Sequence, residues 1–140
     1  MPLEFINSGR QNKIVAEQVI DFSDVVSGTP KKLMFLPGGA YSITGKIIPL
    51  VAFNSATSDV LDVGTLASGN AYANDANIHI TTDVALTGLP KVVDGSGTDG
   101  GLWLYGTWVG VSTAPTAGQV VLNVEYCVLG RSQFDTGTNR

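Results

Sequence analysis

One stretch of the 140-residue chain has the spacing that a nucleotide site needs. Gly95-Ser96-Gly97-Thr98-Asp99-Gly100 matches G-x-G-x-x-G. In a dinucleotide-binding unit those glycines let the backbone approach a pyrophosphate, and the N-terminus of the following helix receives its charge. The chemistry therefore requires a strand before the loop and a helix after it. Here the loop leads into Leu102-Trp103-Leu104-Tyr105-Gly106-Thr107-Trp108, which alternates like a strand and is interrupted by glycine. The motif reads as a glycine-rich loop, and no cofactor is expected.

Acid–base and metal chemistry find little more. His79 is the only histidine, so any Ser-His-Asp or Cys-His site must use it. No G-x-S-x-G elbow accompanies it, and between Ile78 and Ile80 it reads as a solvent-facing strand residue. Cys127 is the only cysteine, which excludes an internal disulfide. It reads as a small buried hydrophobe, because nothing nearby supplies the positive charge that activates a thiol. Asp94 and Asp99 are the right residue type for calcium, yet the twelfth position of an EF-hand loop, which needs glutamate, falls on Tyr105. Zinc needs several His or Cys ligands, and the chain has one of each. Glycosidase carboxylates come from distant strands, and Glu4, Glu17 and Glu125 sit in no cleft motif. These residues predict no catalytic centre and no metal site, and point to a structural or binding role.

Composition narrows the partners. Net charge is −4, and Lys31-Lys32 is the only adjacent basic pair. A nucleic-acid binder or a ligand of anionic membranes would show a basic stripe, so neither partner is expected. No apolar run approaches the ~18 residues of a membrane span. The first residues lack the basic-then-apolar pattern of a secretory leader. Charged residues make up 14% of the chain, against a usual ~25%, which leaves few charges to coat an isolated monomer.

The elements that would position any site are strands. Glycine and β-branched residues dominate, and turn signals recur along the chain. Residues 1–12 read as a flexible arm, 13–130 as one β-domain and 131–140 as a polar tail. Within the domain, strands are expected over 13–22, 33–36, 41–53, 59–63, 78–86, 102–113 and 119–129. A short helix is placed in the alanine-containing stretch 66–77. Ala114-Pro115-Thr116-Ala117-Gly118 would join the last two strands as a hairpin. The fold class is all-β: an antiparallel jelly roll, or a β-sandwich or barrel, of about eight strands. In the strand over 102–113, Trp103 and Tyr105 share one face and Trp108 lies on the other. Val121 and Leu129 share the mixed face of the last strand. Both faces of the strand over 102–113 are largely apolar, so both need cover. Trp103, Tyr105, Trp108, Val121 and Leu129 are therefore candidates for core or subunit interface.

Two stretches carry a resemblance: Val51-Ala-Phe-Asn-Ser-Ala-Thr-Ser-Asp-Val-Leu-Asp-Val-Gly64, and Ala114-Pro-Thr-Ala-Gly-Gln-Val-Val-Leu-Asn-Val-Glu-Tyr126 with Gly130-Arg131 beyond it. Over residues 40–131 the chain resembles the small head decoration (cement) proteins of tailed bacteriophages. The resemblance implies a non-enzymatic virion protein on the capsid exterior, a homotrimer whose partner is the major capsid protein. It carries over no catalytic residue, and residues 1–39 have no part in it. A second reading from the same residues is a receptor- or glycan-binding β-domain of a tail fibre or spike, with exposed aromatics stacking on sugar rings.

Overall fold

The computed structural model describes residues 13–129. The arm assigned to 1–12 and the tail assigned to 131–140 lie outside the described residues. Eight strands form two antiparallel sheets: β1 (Ile14–Asp21), β2 (Lys31–Pro37), β3 (Ala40–Val51), β4 (Ser58–Gly64), β5 (Ala73–Asn77), β6 (Val84–Ala85), β7 (Gly101–Val111) and β8 (Gln119–Val128). One sheet has the order β1-β8-β3-β6 and the other β2-β7-β4-β5. Successive strands β1 to β2, β3 to β4, β5 to β6 and β7 to β8 each change sheet. This is the jelly-roll arrangement, with first and last strands paired and the chain wound between two packed layers.

Strand alternation fills the space between the layers. From the first sheet come Ile20, Ile47, Val120, Leu122 and Val124; from the second come Leu36, Leu61, Val63 and Leu104; all are buried. In β8 the even positions point inward and the odd positions Val121, Asn123, Glu125 and Cys127 are half-buried on the outer face. β3 keeps its odd residues inward from Ile43 to Pro49, after a register shift between Tyr41 and Thr44 at which Ser42 has φ 54°. That shift is a bulge, which bends a strand locally. A second shift lies between Pro49 and Val51.

Four sequence expectations are corrected. The strands over 102–113 and 119–129 are not a hairpin: β7 pairs with β2 and β4, and β8 pairs with β1 and β3. Residues 114–118 cross from one sheet to the other. The corner is held by Asn54, whose Oδ1 accepts from the amides of Thr116 (2.8 Å) and Ala117 (3.0 Å). Its amide nitrogen donates to the Thr116 hydroxyl at 3.0 Å.

The stretch 66–77 holds no helix. Residues 65–68 form a turn, with the Thr65 amide donating to the Ser68 carbonyl at 2.9 Å, and Ala73–Asn77 is β5. Ala73 and Ala76 are buried against the core, so alanine is used there for its small size and not for helix propensity. Nor is 78–86 one strand. The Asn77 side chain accepts from the His79 amide at 2.9 Å, a local turn that starts the chain across from β5 in one sheet to β6 in the other. Finally, Cys127 is half-buried on an outer face and is not a core residue.

Candidate functional site

The glycine-rich segment leads straight into β7, so strand, not helix, follows it. Asp94 accepts from the Ser96 amide at 2.9 Å. Bonds from that amide and from the Ser96 side chain hold the exposed Asp94 carboxyl below its usual range. This is a turn-forming aspartate. Among the described residues, no group of three or more His, Cys, Asp or Glu side chains comes together as a metal site.

Polar chemistry concentrates instead on Asp59, a residue that sequence reasoning placed in a strand without assigning it a role. Asp59 shares inward parity with Leu61 and Val63 on β4, and its side chain is fully buried. Each carboxylate oxygen has two partners. Oδ1 accepts from the Ser55 hydroxyl (2.6 Å) and the Trp108 indole N–H (3.0 Å). Oδ2 accepts from the Ser55 amide (2.9 Å) and faces His79 Nδ1 at 2.8 Å. Burial works against ionisation, but bonds from Ser55, His79 and Trp108 outweigh it and hold the carboxyl below its ordinary value. The signal was legible in parity alone: an aspartate two residues before a Leu-x-Val inward pair must point into the core.

The local sequence shapes this cluster. Asp59 pairs with Gly110 across β4 and β7, and the Trp108 ring folds back over that glycine. A Cβ at Gly110 would lie 2.2 Å from Trp108 Cζ2 and 2.7 Å from the Ser55 hydroxyl. Gly110→Ala is therefore expected to displace the indole from Asp59 and to cost about 1–3 kcal/mol, read as a lower urea midpoint with an unchanged m value.

Although Ser, His and Asp meet here, the order of contacts differs from a hydrolase. In a triad, histidine lies between serine and aspartate and takes the serine proton. Here the carboxylate lies between, and the Ser55 hydroxyl donates to it directly. The arrangement ties the 53–55 turn, β4, β7 and the 77–80 turn together; it does not generate a nucleophile.

The cluster also sets a pH dependence. Asp59 has a folded pKa below its unfolded value, so its stabilisation is complete above the unfolded value of ~3.9 and is lost as pH falls through the folded one. Denaturant titrations between pH 6 and 2.5 should show wild type losing stability below about pH 4, and Asp59→Asn should lose less over the same interval.

The five candidates for core or subunit interface lie at different places in the fold. Trp108 is in the core at 6% exposure, with its ring centroid 6.1 Å from that of Phe53. Trp103 and Tyr105 are half-buried on the outer face of the β2-β7-β4-β5 sheet. There Trp103 packs on Phe35 with centroids 5.2 Å apart, and the Lys32 ammonium stands 4.6 Å from its ring. Val121 is on the outer face of the other sheet, in lateral register with Val19 and Ile48. Leu129, just past β8, is 60% exposed. The next row of that outer face is polar: Glu17, Asn123 and Lys46, with Asn123 donating to Glu17 at 3.3 Å.

The described residues form an eight-stranded jelly roll. No protein-family model and no curated protein matches the sequence. Among solved structures, the fold is similar to a chain of the capsid asymmetric unit of cyanophage Pam1, with a TM-score of 0.66 at 19% identity, covering 84% of this chain and 85% of that one. It is also similar to a chain of the capsid of Ralstonia phage GP4, with a TM-score of 0.52 at 15% identity, covering 92% of each.

Proposed function

We propose that this protein is a non-enzymatic structural component of a bacteriophage virion: a head decoration (cement) protein that binds the major capsid protein on the outside of the shell as a homotrimer. The observation that supports this reading most is the match, over 84% of this chain and 85% of the other, between this jelly roll and a chain of the Pam1 capsid asymmetric unit. The outer sheet faces suit such work. The Trp103–Phe35 ledge with Val109 and Val111 on one sheet, and the Val19–Val121–Ile48 row on the other, offer apolar rows bordered by polar ones. Such surfaces are what a subunit or shell interface covers. The rival reading, a glycan-binding tail domain, needs an open aromatic ring for sugar stacking. Trp103, the half-buried tryptophan on that outer face, is already flanked by Phe35 and by the Lys32 ammonium.

The test is co-sedimentation of labelled protein with shells of the encoding phage assembled without it, alongside host-cell surface glycans. Saturable binding to shells, with a higher temperature of shell disruption, is expected. Binding to glycans and not to shells would overturn the proposal in favour of the tail domain.

A further inference from the structure

An open edge strand exposes unpaired backbone groups, and proteins blunt such edges with short strands, bulges, lysine or proline. The edges β6, β5 and β2 are blunted in this way. β6 has two residues. β5 has five, with a positive φ at Asp75 and a register shift against β4. β2 carries Lys31, Lys32 and Pro37 and a register shift between Lys32 and Met34. β1 is different. It has eight residues, no proline and an unbroken register against β8 from Ile14↔Tyr126 to Asp21↔Gln119. Its charges do not simply repel a second strand either: Lys13 and Glu17 are exposed, opposite in sign and separated by one face-to-face repeat on each side of Val15.

The ladder fixes which groups are free. The Phe22 amide donates to the Gly118 carbonyl at 3.0 Å, in the register that pairs β1 with β8. Antiparallel hydrogen-bonded pairs recur at every second residue, so the even residues Ile14 to Ile20 bond β8. The odd residues Val15, Glu17, Val19 and Asp21 turn their N–H and C=O out of the sheet, and Lys13 continues the alternation. At the far end these groups are engaged. The Gln18 side chain donates to the Val19 carbonyl at 3.0 Å, and the Asp21 amide donates to Asp24 at 3.0 Å. Among the described residues, nothing pairs with the outward backbone groups of Val15 and Glu17.

We infer that β1 pairs antiparallel with β1 of a second copy about a two-fold axis at Val15, which joins two four-stranded sheets into one. Only odd residues point outward, so odd must face odd, and charge then selects among the axes from Val15 to Gln18. An axis at Glu17 sets that carboxylate against its own copy. An axis at Gln18 brings in the Asp21 amide and the Val19 carbonyl, which are already engaged. An axis at Ala16 sets Glu17 opposite Val15 and Lys13 opposite Val19, and matches no charge. An axis at Val15 sets Lys13 opposite Glu17 on both sides, Val15 opposite Val15 and Ile14 opposite Ala16. Each of these pairs is opposite in charge or apolar in both members, the kinds that stabilise a sheet, whereas like charges directly opposite destabilise it. The contact is small beside the ~800 Å² per partner of a stable interface. It is expected at roughly millimolar protein, the effective concentration of copies held side by side, and not at the micromolar concentration at which a trimer is read.

Disulfide capture on the full chain tests this, in a Cys127→Ser background and a glutathione buffer. Opposed hydrogen-bonded residues have Cα atoms about 5.5 Å apart, inside the range a disulfide spans, so Val15→Cys should link to its own copy across the axis. Val19→Cys is the control. It lies on the same face with similar exposure, but the two copies of residue 19 would be about 26 Å apart along the strands. At roughly millimolar protein, Val15→Cys is expected to yield at least ~10-fold more linked dimer than Val19→Cys. Adding Lys13→Glu alone, or Glu17→Lys alone, to Val15→Cys sets like charges across the axis and should reduce capture to the control level. An equimolar mixture of those two proteins should restore it, because each copy then meets the opposite charge; a fault in folding would not be rescued by mixing. Equal capture at 15 and 19 would overturn the inference, as would capture at 15 that ignores the charge changes or a mixture that stays unlinked. Val15 and Glu17 amides slow to exchange at every dilution, with no capture, would also overturn it and assign the edge to another part of the chain. Neither shells nor trimers enter the measurement, so its outcome is separate from that of the shell-binding test.

Discussion

Asp59→Ala should be among the most damaging substitutions in this protein. It leaves the Trp108 indole N–H and the Ser55 amide buried without their acceptor, at about 1–3 kcal/mol for each unpaired group. A total near 4 kcal/mol is a large part of the 5–15 kcal/mol that typically stabilises a domain. At roughly 3–4 °C per kcal/mol for a chain of this size, the melting temperature should fall by on the order of 10–15 °C. Asp59→Asn should be milder but still harmful, since its NH2 group turns a donor toward other donors. Ser55→Ala should cost less than either, because the Ser55 amide bond to Asp59 survives. Calorimetry on the three variants checks the ranking. A fall of under ~1 kcal/mol for Asp59→Ala would mean that the carboxylate is solvated and the cluster is not a structural tie.

The two tryptophans should separate cleanly. Trp108 is buried, packs near Phe53 and donates to Asp59, so Trp108→Ala combines a large cavity with loss of a charge-assisted bond. About 3–5 kcal/mol is expected, enough to leave the protein partly unfolded near 37 °C. Trp103 loses an aromatic contact worth about 0.5–1.5 kcal/mol and a cation–π contact of about 0.5–1 kcal/mol, so Trp103→Ala should fold. If the outer face of the β2-β7-β4-β5 sheet is the trimer interface, Trp103→Ala should run as a monomer with its β signal intact while wild type runs as a trimer. Light scattering with circular dichroism reads both quantities. A wild-type mass near 14.6 kDa at micromolar concentration would contradict the trimer.

Much of this was legible in the residues, for identifiable reasons. Period-2 alternation located β1, β3, β7 and β8, because one face of each meets the core and the other does not. It also separated Trp103 from Trp108. What alternation does not carry is the partner of each strand. Ala114–Gly118 has the composition of a hairpin loop, but a jelly-roll corner uses the same residue types, and only Asn54, sixty residues away in sequence, distinguishes the two by clamping the corner. The alanines of 66–77 misled for a related reason: close packing of β5 against the core favours the same residue that favours a helix. In sequence His79 looks like an isolated strand residue, because its partner Asp59 is brought to it only by the chain's passage through β4 and β5.

The most direct measurement is electron cryomicroscopy of the virion whose genome encodes this chain. The account predicts density for the eight-stranded jelly roll on the outer surface of the head, in groups of three, touching the major capsid protein. The same density found at the tail tip or fibre, with none on the shell, would contradict it.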